Sequence, residues 1–281
     1  MQSTSQAIFA EWSPPPILTS LIVLTALIYA RGWYLLRKTR PAQFATWRLL
    51  LFCCSLATLW IAIASPLDGF ADALLSAHMV EHLLLMSFAP PLILLSLPVV
   101  PLLRGLPRAF TRTIIGPLIR LRALRKFGHW FITPMVAWLA MNLTFLGWHI
   151  PAAYDFALEH ETWHDIEHLC FLGTSILFWW PLIRPWPTSG RTLGWFVLPY
   201  LVLADIVNTL VSGFLAFCER PVYAYYLKKP NAFGIDPMID QRAGAAAMWV
   251  IGSAVFLLPV MIITLSMLQR QTGPRTAAGA R

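Results

Sequence analysis

Two five-residue stretches, HMVEH at 78–82 and HDIEH at 164–168, repeat one pattern, His-x-x-Glu-His, in a chain with seven histidines. On a helix, residues i and i+4 share a face. His78 and His82, and likewise His164 and His168, can therefore each offer two imidazole nitrogens to one ion without any loop to bring them together. Glu81 and Glu167 stand beside the same stripe, placed to orient an imidazole, take a proton or ligate directly. A further histidine, His149, closes another apolar run in GWHIP.

These residues must be positioned by helices in a bilayer. The chain has 281 residues, 58% hydrophobic and 12% charged, about half the charge of a soluble domain. Crossing a bilayer takes roughly 20 apolar residues, and seven stretches meet or approach that length: 17–36, 48–64, 74–97, 130–150, 163–183, 195–217 and 243–268. The fold class expected is an all-α integral membrane protein, a bundle of seven transmembrane helices spanning 17–268. An external segment, 1–16, precedes it and a basic cytoplasmic tail, 269–281, follows. Residues 1–16 lack Lys and Arg and so lack the basic region of a cleavable signal peptide; the first span is expected to be retained.

Charge sets the orientation. Arg37, Lys38, Arg40 and Arg48 follow the first span, Arg104 through Lys126 fill the loop after the third, Arg184 and Arg191 follow the fifth, and Arg270, Arg275 and Arg281 follow the last. Acids fall on the alternate connections. Positive residues stay cytoplasmic, which puts the N-terminus outside and the C-terminus inside. The net charge of +8 then answers to anionic lipid. A nucleic-acid partner is excluded because the basic loop has no recognised motif and joins two spans. With a rise of 1.5 Å per residue, His78 and His82 fall roughly 6 and 12 Å below the outer surface. His164, His168 and His149 lie at a similar depth. An ionisable side chain in hydrocarbon costs on the order of 2–3 kcal/mol, so Glu81 requires a cavity or a partner. His129 reads as interfacial and His160 as a solvated bystander.

Three further features bear on the site. Pro90 and Pro91 should kink the third span, since proline removes a backbone donor and clashes with the preceding turn. Asp205, Asn208, Thr209 and Ser212 fall on one face of the sixth span, as a seam between helices or an ion path. Met79, Met86, Met238 and Met248 are candidate soft ligands. Cys53, Cys54, Cys170 and Cys218 form no C-x-x-C and read as small buried apolar residues rather than a disulfide framework.

HMVEHLLLMSFAPPLILLSLP, WHIPAAYDFAL and HDIEHLCFLGTSILFWWPLI together resemble the CtaG family of heme–copper (caa-type) cytochrome c oxidase assembly factors, over about residues 17–268. The resemblance implies seven spans and a non-enzymatic role in maturing the oxidase, by delivery or insertion of copper. It implies His78, His82, His149, His164 and His168 as the copper ligands, with oxidase subunits and a periplasmic copper donor as partners. Glu81, Glu167 and Asp205 are supporting candidates. Imidazoles with a nearby Met or Cys170 suit copper in either oxidation state, and an outward site suits receipt of the ion from the periplasm. The alternative is a transmembrane copper transporter using the same outer site, with Asp205 continuing the path. A haem protein would use one histidine per helix and leave the paired spacing unexplained. A His-x-x-Glu-His metalloprotease needs one motif and a distant third ligand, not two copies.

Overall fold

The computed structural model describes Phe9 and residues 12–185, 194–228 and 233–272. Most of the 1–16 segment and residues 273–281 of the tail lie outside the described residues. All regular structure among the described residues is helical. In chain order it comprises α1 (Pro16–Arg37), α2 (Thr46–Ala64), α3 (Pro66–Ala73), α4 (Leu75–Leu95), α5 (Val99–Gly105), α6 (Arg122–Phe131), α7 (Pro134–Trp148), α8 (Pro151–Glu159), α9 (Glu161–Ile183), α10 (Val197–Phe217), α11 (Tyr225–Lys228) and α12 (Pro237–Thr272). Short helical turns also run through 108–120.

Prolines set many of the boundaries. Pro16, Pro66, Pro134 and Pro151 open α1, α3, α7 and α8, where a missing N–H is harmless and the fixed φ is already helical. Residues before proline are pushed to extended backbone, and Thr133 and Ile150 adopt ψ of 137° and 126°. Ser65 caps α3 by accepting the Leu67 N–H at 3.1 Å, as an N-cap serine should.

Six helices are long and apolar enough to cross a membrane, and a seventh crossing exists only if α6 and α7, bent by 67°, count as one. Within the expected span 130–150, α7 begins only at Pro134, and residues 130–131 belong to α6. Its basic residues Arg122, Arg125, Lys126 and His129 fall at i, i+3, i+4 and i+7, while Leu124, Phe127 and Trp130 are exposed on the rest of its circumference. That pattern belongs to a helix lying in a membrane interface. Leu21, Leu27, Leu143, Leu210 and Ile262 are also exposed, as bundle surfaces facing acyl chains must be.

Three buried clusters hold the bundle together. One, with Tyr29, Trp33, Phe44 and Phe52, joins α1 and α2; the Tyr29 and Phe52 rings stack at 3.8 Å. The second packs Phe178, Trp179, Tyr200 and Phe256 between α9, α10 and α12. The third surrounds the histidines and includes Met79, Phe145, Tyr154, Phe171 and Tyr223. The kink expected at Pro90 and Pro91 takes the form of a π-turn over Leu84–Phe88, just before the prolines. All four cysteines are free, as expected, but the expected burial is corrected: Cys53 and Cys54 are exposed, and Cys170 and Cys218 are half-buried. Both exposed thiols lie on the outer face of α2, which needs no small core residue.

Candidate metal centre

α4 carries the first histidine pair, and its start is fixed from far away. Leu74, at the N-cap position, offers no side-chain cap, so the first backbone N–H groups need an acceptor from elsewhere. Asp240 of α12 supplies it. Leu75 N donates to Oδ2 at 2.7 Å, Ser76 N to Oδ1 at 3.1 Å, and the Ser76 hydroxyl to Oδ1 at 2.5 Å. A carboxylate there also suits the positive end of the helix dipole. Gly244, one turn further along α12, permits the close approach, since a Cβ would stand 3.1 Å from Ser76 Cα. The neighbouring Gln241 accepts from Val222 N at 2.7 Å and donates to Leu215 O at 3.0 Å, tying the 218–236 connection down.

That connection forms the roof over α4. Asp155 accepts from the backbone of Ala224 and Tyr225 at 3.2 and 3.1 Å. Tyr225 donates to Asp72, and Tyr154 stacks on Tyr223 at 3.9 Å. Tyr226 donates to Ala71 O at 3.0 Å, with its hydroxyl 3.4 Å from His78 Nδ1. These partners were not legible as site residues in the sequence; the only signal was polar residues in the external loops.

Between α4 and α9 the two motifs meet. The His78 ring lies 5.1 Å from His164 and 6.0 Å from His168, and His82 lies 5.7 Å from His168, centroid to centroid. His78 Nε2 and His82 Nε2 are 2.7 Å apart, one ring donating to the other, and His82 Nε2 is 3.5 Å from Glu167 Oε1. Two ligand sets share His78: His78, Glu81, His164 and His168, and His78, His82 and Glu167. Within each, one potential ligand atom per residue lies within 4.8 Å of the others. Tetrahedral ligands with bonds of about 2.0–2.1 Å stand about 3.4 Å apart, so separations of up to 4.8 Å are close to what a single ion spans.

Burial sharpens the case. His78, Glu81 and Glu167 are 0% exposed. Both Glu81 oxygens, His82 Nδ1, His164 Nε2 and His168 Nε2 are buried without a hydrogen-bond partner among the described residues. Orphaned polar atoms are expensive in an apolar interior, and a cation is a partner that several such atoms could share. The donor set, imidazole with carboxylate, fits copper or zinc.

Of the other sequence candidates, His149 sits beside the cluster, 6.0 Å from His82 by ring centroids, but belongs to neither set. It ends α7, and its Nδ1 bonds Phe145 O at 2.8 Å, which gives it a capping role; its buried Nε2 has no partner. Asp205 is likewise in neither set, with Oδ1 buried and unpartnered. Of the polar stripe on α10, Asn208 donates to Met248 O across to α12 at 3.2 Å, while Ser212 donates to Asn208 O within α10 at 2.8 Å. His129 and His160 are exposed.

Access runs through a vestibule. A cavity of about 350 Å³ is lined by Asp68, Asp72, Glu161, His164 and, at its floor, His78. The surrounding protein pushes the Asp68 carboxyl above the ordinary carboxylate range; desolvation leads, His164 opposes it, and Asp72, Asp165 and Glu161 add to it. Nearby, exposed Lys228 holds the Glu159 carboxyl below its usual range across a 2.9 Å contact. An acidic mouth above imidazoles concentrates cations.

No solved structure matches this chain. Proteins of Mycobacterium bovis and Mycobacterium tuberculosis, described only as uncharacterized, are each 25% identical over 278 residues, covering 94% of this chain and 40% of their own length. A third, from Mycobacterium leprae, is 24% identical, covering 92% of this chain and 39% of its own length. The chain therefore spans about two fifths of the length of these curated relatives. The family model for the cytochrome c oxidase caa3 assembly factor (Caa3_CtaG) matches residues 27–270, so both motifs and every helix packed around them fall inside the match, and the chain belongs to that family.

Proposed function

We propose that this multi-pass membrane protein helps mature a heme–copper cytochrome c oxidase by holding copper at the joined His-x-x-Glu-His faces and passing it to oxidase subunits. Glu81 is the observation that carries the reading. It is fully buried, neither oxygen has a partner, and it lies within ligand distance of His78, His164 and His168. The vestibule supports loading from one end of the bundle. The Lys and Arg pattern supports placing that end outside, with the N-terminus, in a bacterial plasma membrane; a periplasmic donor would then supply the ion. His-x-x-Glu-His as a hydrolytic motif fits less well, because both glutamates sit inside ligand sets rather than beside a free coordination face. Beyond the histidines, Phe178 stacks on Tyr200 at 4.7 Å and Trp179 lies parallel to Phe256. That aromatic plug supports holding and release at one end over conduction through the bundle.

The test is a deletion strain grown across a copper series. Oxidase activity should fall while oxidase polypeptides are still made, and added copper should restore part of it. Metal analysis of the purified protein should find copper, at lower stoichiometry in a His78→Ala, His168→Ala double variant. Normal oxidase activity at limiting copper, or a purified protein without copper, would sink the reading.

A further inference from the structure

Past His82 along α4, on the side away from the vestibule, lies a second cavity of about 30 Å³. A single water needs roughly 10–15 Å³ measured this way, so the chamber has room for an ion but not for an organic cofactor. Three methionines from three different helices line it: Met86 of α4, Met141 of α7 and Met248 of α12. Methionine commonly fills irregular gaps in a core; here three methionines border a gap that stays open.

Two further observations point to a ligand. His82 turns Nε2 toward His78 and Glu167, yet its Nδ1 is buried without a partner, and the same side chain lines the chamber. The π-turn Leu84–Phe88 sits between His82 and the two prolines and carries Met86 and Ser87 to the chamber wall. Such insertions disturb the helix ladder and occur mostly at functional sites. Pro90 and Pro91 lack the N–H groups that would bond the Met86 carbonyl at either four or five residues' distance, so the local backbone carries unused acceptor capacity.

We propose that this chamber is a Cu(I) site formed by His82 Nδ1 and the thioethers of Met86, Met141 and Met248. Thioether sulfur is soft and neutral and selects Cu(I), whereas the imidazole and carboxylate cluster above it accepts harder ions as well. His82 is common to both, one ring nitrogen to each, so an ion held by the cluster has its next position one imidazole away. Copper arriving as Cu(I) moves between them by ligand exchange, with no change of oxidation state. The proposal rests on reading the cluster as a copper site.

The experiment is X-ray absorption at the copper edge on the full chain in detergent, loaded anaerobically with Cu(I). Wild type should show sulfur beside nitrogen around copper. The M86L/M141L/M248L variant, close to volume-conserving and checked for folding by thermal melting, should lose the sulfur. Its Cu(I) affinity against a competing chelator should fall at least about tenfold, or about 1.4 kcal/mol, while nitrogen-bound copper stays in the cluster. If the triple variant does not fold, M141L alone should lower the sulfur count. Copper ligated by nitrogen and oxygen alone in wild type, or sulfur retained in the triple variant as from Cys170, overturns the chamber and leaves the cluster standing. Sulfur-bound copper in H78A/H168A with total copper unchanged from wild type upholds the chamber while the cluster reading falls. A chain that binds no copper overturns both.

Discussion

Asp240→Ala removes three hydrogen bonds at once: those to Leu75 N, Ser76 N and the Ser76 hydroxyl. The carboxylate is 6% exposed, so little solvent takes its place. A hydrogen bond to a charged group contributes about 1.5–3 kcal/mol. The three share one carboxylate and are not additive, which sets the expected loss at about 3–5 kcal/mol. Asp240→Asn keeps one acceptor oxygen and should lose about half as much, and Ser76→Ala, which removes only the hydroxyl, about 1 kcal/mol. Denaturant titration of the detergent-solubilised protein gives the stabilities, and copper stoichiometry should fall in the same order because α4 frays from the end that carries His78. A D240A protein within about 0.5 kcal/mol of wild type, the range of an inconsequential surface change, would refute the claim that α12 holds the start of the motif helix.

Replacing His82 or His168 with Ala should weaken copper binding far more than replacing His129, as read by chelator competition; the double variant should add little to the worse single one, because both act on one cluster. Asp68→Asn should leave the melting temperature unchanged or raised at neutral pH: with its folded pKa raised, ionisation above the ordinary carboxylate range disfavours the fold, and the amide cannot ionise. The same variant should load copper more slowly, most visibly at low ionic strength where attraction to the acidic mouth is least screened; stopped-flow loading checks it. Gly32→Ala would place a Cβ 1.8 Å from Pro101 O and 2.8 Å from Gly105 N, forcing α1 and α5 apart at about 1–3 kcal/mol or more, readable as a lower melting temperature with an unchanged copper edge spectrum.

The meeting of the two motifs was legible because both carry the same i,i+4 period and charge alternation places both at one depth; neither inference needs long-range information. α1, α2, α9 and α10 follow the expected spans to within about three residues. The break between α6 and α7 was present as Pro134, but the run around it is continuously apolar, and hydrophobicity alone does not separate an interfacial helix from a crossing one. Asp240 read as one more acid near a span, since nothing local reveals that its acceptors serve residues 164 and 165 positions away. Met141 was missed for the same reason: which methionines border a shared void is decided by the packing of α4, α7 and α12, not by the pattern on any of them.

The roof over His78 bears on the order of biogenesis. The motif helix emerges early from the ribosome, yet its cap arrives with Asp240 and its covering hydroxyl with Tyr226, 148 residues after His78. Until α12 has been inserted, the first histidine pair has neither a fixed helix start nor a closed ceiling, and the second pair comes only with α9. A chain inserted only as far as α8 thus cannot assemble either ligand set, and on the proposed function copper binding waits for α9.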